Sequence, residues 1–340
     1  MNESDYASTT KPKNQGGTRR CRAARISAIL KGYYFLMPKH PYATATLLAL
    51  TTAVISGTAN FLNKSALASV QGPIFFTTMK NATVAVALIG LVLLFRQWRE
   101  LARLSRRQWL RLLAIGVIGG SLPFALFFTG LAQTSAINAS LIHKTLVLWV
   151  LLLAVPFLKE RISWLQGLGI AAVFSANLLV GGFTGFKFNA GELMVLCATL
   201  LWAVENIIAK RTLADVSSLT VTAARMVVGS GLLLALIFWR GEAGRILELN
   251  AAQWGWIALT GVLLTGYVLT WYAALKRAPA TYVATLLVPA TLVTNVLSAV
   301  FVTHAIPARD VQAILLFVLG TLLVIRFART TKIPAPSLAT

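Results

Sequence analysis

Long apolar runs separated by short polar links dominate the chain from residue 43 onward. A helix needs about 20 mostly apolar residues to cross the hydrocarbon core of a bilayer. By that measure spans are predicted over 43–63, 73–95, 110–131, 135–158, 163–183, 191–210, 218–239, 253–275, 280–303 and 311–328. Short links make sequence neighbours antiparallel. The predicted fold class is therefore an all-α integral membrane protein with ten transmembrane helices.

Composition agrees with a solvent in which charge is expensive. Hydrophobic residues make up 57% of the chain and charged residues only 12%, against about 25% in soluble domains. The 31 Lys and Arg against 10 Asp and Glu give a net charge of +21. These cations sit in links and tails between apolar runs, which fits contact with anionic lipid headgroups. Nucleic-acid binders instead place them on a polar, soluble surface, so no nucleic-acid partner is expected.

The distribution of cations also orients the chain. With the N-terminus in the cytosol, the cytosolic links collect Arg96, Arg99, Arg103, Arg106, Arg107, Arg111, Lys159, Arg161, Lys210, Arg211, Lys276 and Arg277. The outer links hold Lys64, Lys187, Arg240, Arg245 and Arg309. Both termini are expected in the cytosol of a cell with the protein in its plasma (inner) membrane. Residues 1–42 read as a basic, disordered tail and 329–340 as a cytosolic C-terminal tail. Lys31 interrupts the apolar patch at 26–37, so the tail lacks the unbroken core of a signal peptide.

The two halves repeat. Asn60 and Lys64 recur as Asn206 and Lys210, Lys80 as Arg225, Leu131 and Ala136 as Leu275 and Ala280, Phe157 as Phe301, and Gln166 as Gln312. The offset stays between 144 and 146 throughout. Five helices is an odd number, so residues 186–328 must insert upside down relative to 43–185. Inverted repeats favour a substrate site near the midplane between the halves.

Ionisable and polar residues within the spans are the functional candidates, because they are costly there. Trp202, Glu205 and Asn206 fall at i, i+3 and i+4, on one helical face. Glu205 is the leading candidate for substrate contact or proton transfer. His143 and Lys144 lie midway along the fourth span, Lys144 sharing a face with Ser140. Lys144 is a candidate for a substrate carboxylate or for neutralising Glu205, and His143 for carrying protons or for packing. Asn60, Tyr267 and Trp271 complete the substrate and coupling-ion candidates. Pro289, Gly120 and Pro123 are candidate hinge or structural positions. Lys64, Lys80, Lys210 and Arg225 are expected to snorkel towards headgroups.

Trp202-Ala203 followed by Asn206 and Lys210, with Arg225, Pro289 and Glu160, resembles the motif set of EamA-type drug/metabolite transporters. The resemblance covers roughly residues 43 to 328. It implies two five-helix repeats and transport of amino acids, nucleobases, vitamins or other small metabolites. Ser56, Thr145 and His304 depart from the pattern: they stand where the family's tryptophan, proline and glutamate are expected.

Function follows as an expectation. The first reading is a secondary transporter, an exporter of small polar or zwitterionic metabolites such as amino acids. A passive channel or lipid scramblase shares the same fold physics. A membrane-embedded enzyme lacks a nucleophile with a base and lacks paired acids. There is no cysteine or histidine spacing for a metal, no cofactor fingerprint and no phosphate-binding loop. Gradients rather than nucleotide hydrolysis would drive transport. The oligomeric state expected is a monomer or weak dimer.

Overall fold

The computed structural model describes residues 42–70, 72–134, 136–179, 185, 187–304 and 308–328. The expectations for the two tails lie outside the described residues, as does the side chain of Lys64. Every described regular element is helical. Eight helices are long and apolar enough to span a membrane. They are α1 (Ala43–Ser69), α2 (Pro73–Leu94), α3 (Arg106–Gln133), α4 (Asn138–Leu158), α6 (Ala190–Thr212), α7 (Ser218–Trp239), α8 (Ala251–Arg277) and α9 (Ala280–Val302). Two shorter apolar helices, α5 (Trp164–Leu179) and α10 (Val311–Phe327), occupy the fifth place in each half.

Short polar residues start several of these helices by accepting from otherwise unpaired backbone N–H groups. Ser105 with Gln108 before α3 and Asn250 with Gln253 before α8 form reciprocal capping boxes. Asn189 caps α6 and Ser217 caps α7. Within the helices, Thr52, Thr78, Thr199, Thr222 and Thr285 donate back to the carbonyl four residues earlier. A threonine thereby satisfies its hydroxyl where no water is at hand.

The repeat is written into the backbone. α4 breaks at Thr145 (φ −62°, ψ −11°), and α9 breaks at Pro289 (φ −56°, ψ −10°). Proline enforces the break in α9 by removing an N–H. In α4 the same break forms without proline. The Thr145 N–H is shared between Leu141 and Ile142, and its hydroxyl accepts from Trp149 Nε1 at 3.0 Å. Arg96 and Gly241, which follow α2 and α7, both have positive φ (55° and 71°). Lys159 and His304, which follow α4 and α9, do as well (54° and 49°).

Helices of opposite halves interdigitate. α5 packs along α10, α6 along α3, α7 along α2, and α8 also along α2. At the α3–α7 crossing, a Cβ on Gly120 would run into the Arg225 carbonyl and come within 3.0 Å of Gly229 Cα. Gly120→Ala is therefore expected to cost about 1–3 kcal/mol or more by overpacking, read as a drop in thermal midpoint. Gly231→Ala on the same α7 is the control. A Cβ there meets open space, and stability should hold or rise.

The end of the bundle where α4, α6 and α8 finish is tied by hydrogen bonds. Both Glu160 oxygens accept from the first N–H groups of α9, Ala280 and Thr281. A carboxylate suits that place, since a helix N-terminus carries partial positive charge. Lys210 Nζ donates to the Leu275 and Ala278 carbonyls at 2.6 and 2.7 Å, and Lys276 Nζ to the Val216 carbonyl at 2.9 Å. Lys210 thus caps the end of α8 and does not snorkel as expected. Its reach is spent on carbonyls that α8 leaves unpaired.

Outside the spans, Glu100 lies in the short helical turn Trp98–Leu101 and reaches the start of α7. It accepts from the Ser217 N–H at 2.9 Å, the Ser217 hydroxyl at 2.6 Å and the Thr220 hydroxyl. Partial burial would raise its pKa. The Ser217 and Thr220 hydrogen bonds and the charge of Lys276 outweigh that and leave it below the ordinary carboxylate value. A depressed pKa contributes stability at neutral pH that is lost as pH falls through the folded value. Thermal midpoints should therefore drop as pH falls below about 4–5, and Glu100→Gln should flatten that acid limb.

Candidate functional site

A cavity of about 440 Å³ lies among the helices of both halves. Its wall draws on α1 (Asn60), α2 (Lys80), α3 (Phe124, Phe127, Phe128), α4 (Ser140, His143, Lys144), α6 (Trp202, Glu205, Asn206), α7 (Arg225), α8 (Tyr267, Trp271) and α9 (Thr294). All eight substrate and coupling-ion candidates border it. The lining also reaches Leu67 and Thr134, close to where α1 and α3 finish.

α3 builds the centre of the wall. Pro123 has no N–H, so the Gly119 carbonyl four residues earlier lacks its helical donor. The stretch Gly116–Ser121 is wound as a π-helix. The Gly119 oxygen instead accepts from Trp202 Nε1 at 3.0 Å and from Arg225 Nη2 at 3.1 Å. Pro123 and Gly120 therefore act through the shape of α3, and neither borders the cavity in the way Phe124 does. Gly119 itself makes room: a Cβ there would run into Glu205 and come within 3.2 Å of Arg225 Nε.

Glu205 is 1% exposed and accepts from the Tyr272 hydroxyl. The Arg225 guanidinium lies over the Tyr272 ring at 5.7 Å and over the Phe124 ring at 5.8 Å. Glu205, Tyr272 and Arg225 thus form one buried cluster over Gly119. The expected neutralisation of Glu205 by Lys144 is not what this geometry shows. Among the described residues no ion pair joins them, and Tyr272 and Arg225 stand at Glu205 instead.

Asn206 links two indoles. Its Nδ2 donates to the Trp202 carbonyl at 2.8 Å, and its Oδ1 accepts from Trp271 Nε1 at 3.2 Å. Trp271 stacks on Tyr267 with centroids 6.1 Å apart and planes 5° from parallel. Trp202 meets Phe124, Phe127 and His143 edge-on or tilted, at 5.4, 5.6 and 4.9 Å. His143 also meets Phe127 at 5.4 Å, and both its ring nitrogens are buried without a hydrogen-bond partner. Asn60 is exposed on the wall.

Lys80 and Arg225 correct the snorkelling expectation. They are 3% and 5% exposed and border the cavity. Each is the eighth residue of a 22-residue helix. The helix rises about 1.5 Å per residue, which places them about 10 Å from its start. That depth is within reach of headgroups only for a side chain turned outward, and both side chains turn to the cavity instead. Lys80 Nζ lies over the Phe76 and Phe128 rings at 5.0 and 4.5 Å. Their recurrence at the same depth in both halves was the available signal. Tyr272 had none, because its role depends on how α8 crosses α6.

Sequence comparison matches this architecture. The family model of the EamA-like transporter family matches twice, over residues 43–182 and 189–326. The uncharacterized transporter YyaM of Bacillus subtilis is 29% identical over 204 residues, 57% of this chain and 66% of its own length. An uncharacterized transporter of Synechocystis, sll1164, is 23% identical over 248 residues, 68% of this chain and 69% of its own. One from Archaeoglobus fulgidus is 24% identical over 83% of this chain and 96% of its own. A solved crystal structure superposes with a TM-score of 0.69 at 19% identity, over 84% of this chain and 98% of its own, and so shares the fold. With two family repeats of five apolar helices each and a cavity lined by helices of both, the chain is a multi-pass membrane transporter belonging to the EamA-like transporter family.

Proposed function

We propose that the chain is a secondary transporter that carries small polar or zwitterionic metabolites, such as amino acids, through the central cavity. The observation that supports this most is the cavity wall. It holds Lys80, Lys144, Glu205 and Arg225, all buried, in a segment of the chain where charge is expensive. Charge kept at that cost along a cavity wall suits polar cargo. The lining extends towards one end of the bundle. The opposite end is tied by Glu160, Lys210 and Lys276. That arrangement suits a state open on one side, from which rocking of the inverted halves would expose the site on the other. The distribution of cations supports a cytosolic tied end and cation-rich links facing anionic lipid in a cell's inner membrane, and export is the direction proposed.

Flux into proteoliposomes tests the reading. A transporter predicts saturable uptake of a labelled carboxylate and counterflow against unlabelled substrate trapped inside. Uptake linear in concentration, without counterflow, points to a channel. Lipid exchange between leaflets without solute uptake points to a scramblase.

A further inference from the structure

Charge on the cavity wall is unbalanced, and the imbalance bears on the cargo. Three cations, Lys80, Lys144 and Arg225, face the cavity with one carboxylate, Glu205. Three minus one leaves two positive charges. Glu205 and Arg225 belong to the cluster around Gly119 and Tyr272, each with hydrogen bonds inside the protein. Lys80 and Lys144 are different. They are 3% and 5% exposed, and among the described residues neither ammonium has a hydrogen-bonded or ion-paired partner, although Lys80 lies over the Phe76 and Phe128 rings. Beside Lys144, both His143 nitrogens are buried and unpartnered. Buried ionic groups ordinarily find a counter-charge or hydrogen bonds.

We infer that the missing counter-charge is the cargo, and that the cargo is a small organic anion with a flat apolar body, an aromatic mono- or dicarboxylate, seated between Lys80 and Lys144. The inference rests on the transport reading of this cavity and narrows its substrate. A zwitterionic amino acid leaves the two positive charges on the wall unbalanced. It also brings an ammonium to a wall whose only carboxylate among the described residues already accepts from Tyr272. A monocarboxylate halves the imbalance and a dicarboxylate removes it. The remaining wall fits a planar body. Phe124, Phe127, Phe128, Trp202, Tyr267 and Trp271 present rings around a space of about 440 Å³, within the range of small-ligand sites. Recognition by two separate ammonium groups places the carboxylate by charge, and the rings hold the body by contact area.

The test uses the full chain, purified in detergent, with benzoate, terephthalate, phenylalanine and phenethylamine at matched ionic strength. Thermal midpoint and calorimetric titration are the readouts. The two carboxylates should bind and raise the midpoint more than the zwitterion or the amine. Lys80→Met and Lys144→Met should each weaken anion binding about tenfold or more, as expected for losing a hydrogen bond to a charged group. Without ligand, Lys144→Met should melt at or above the parent's temperature, since it removes a buried charge that has no counter-charge, and Lys80→Met should melt close to it, since the same gain is set against the loss of the Phe76 and Phe128 ring contacts. Lys80→Arg should retain binding within a few-fold.

The inference is overturned if phenylalanine or phenethylamine binds as well as the anions. It is overturned equally if no anion binds, or if anion affinity is unchanged in both methionine variants. A methionine variant that melts well below the parent shows a structural role for that lysine and also counts against it. Flux separates the two layers of the argument. Anion binding without saturable uptake removes the transport reading and leaves the ligand class. Saturable uptake of phenylalanine without anion binding removes the ligand class and leaves the transport reading.

Discussion

Glu205→Gln is expected to destabilise the protein by up to about 3 kcal/mol, the upper end of the coupling between residues of one buried network. Glutamine can still accept from the Tyr272 hydroxyl, so the loss comes from charge and not from the hydrogen bond. Arg225, 5% exposed and held to the Gly119 carbonyl, would keep its charge with no anion in the cluster. Arg225→Gln should be damaging for the mirror reason. The double variant should recover part of the loss, because neither charge remains. Chemical denaturation of the four proteins gives the coupling directly. Residues of one buried network give about 0.5–3 kcal/mol in such cycles, and additivity would mean that Glu205 and Arg225 do not stabilise one another.

Trp202→Ala carries the second large effect. Trp202 is 8% exposed, donates to the Gly119 carbonyl and touches Phe124, Phe127 and His143. Truncation of a buried tryptophan costs about 3–5 kcal/mol. It would also open the aromatic wall beside Glu205, so ligand binding should fall along with stability. Trp202→Phe separates ring from donor. The ring contacts largely survive, and Arg225 Nη2 still serves the Gly119 carbonyl. A penalty of about 1 kcal/mol is expected, that of one hydrogen bond. If Trp202→Phe proves as damaging as Trp202→Ala, the N–H matters more than this geometry allows.

Much of the fold was legible in sequence because bilayer physics is strict. Apolar length marks the spans, and cation-rich links mark one side. The constant offset between halves predicted paired features that reappear in the backbone. The breaks at Thr145 and Pro289 and the positive φ of Lys159 and His304 are of that kind. Thr145 was read as a departure because it is not proline. The break forms there anyway, through a shared N–H and a hydroxyl that accepts from Trp149.

Helical spacing also located much of the cavity wall. Residues such as Trp202, Glu205 and Asn206 share a face whatever they pack against, so spacing alone could group them. Spacing could not say which way a cation turns. Lys80 and Arg225 look like snorkelling residues when depth is counted from the helix end. The packing of α2 and α7 into the bundle turns them to the cavity. Nor could it pair charges across helices, which is why Lys144 was considered as a partner for Glu205 and Arg225 was not. The role of Gly119 was within reach, since a proline at 123 leaves the carbonyl at 119 without its helical donor. Finding what answers that carbonyl required the positions of α6 and α7.

The central claim is that one cavity between inverted halves is exposed first on one side of the membrane and then on the other. Cysteine labelling across a sealed membrane tests it most directly. Cys21 and Cys197 are replaced first, by Cys21→Ser and Cys197→Ala, and Ser140→Cys then places one thiol on the cavity wall. In oriented vesicles an impermeant maleimide should label that position from either side, at different rates, and a bound carboxylate should slow both. Labelling from one side only, with or without carboxylate, would contradict alternating access through this cavity.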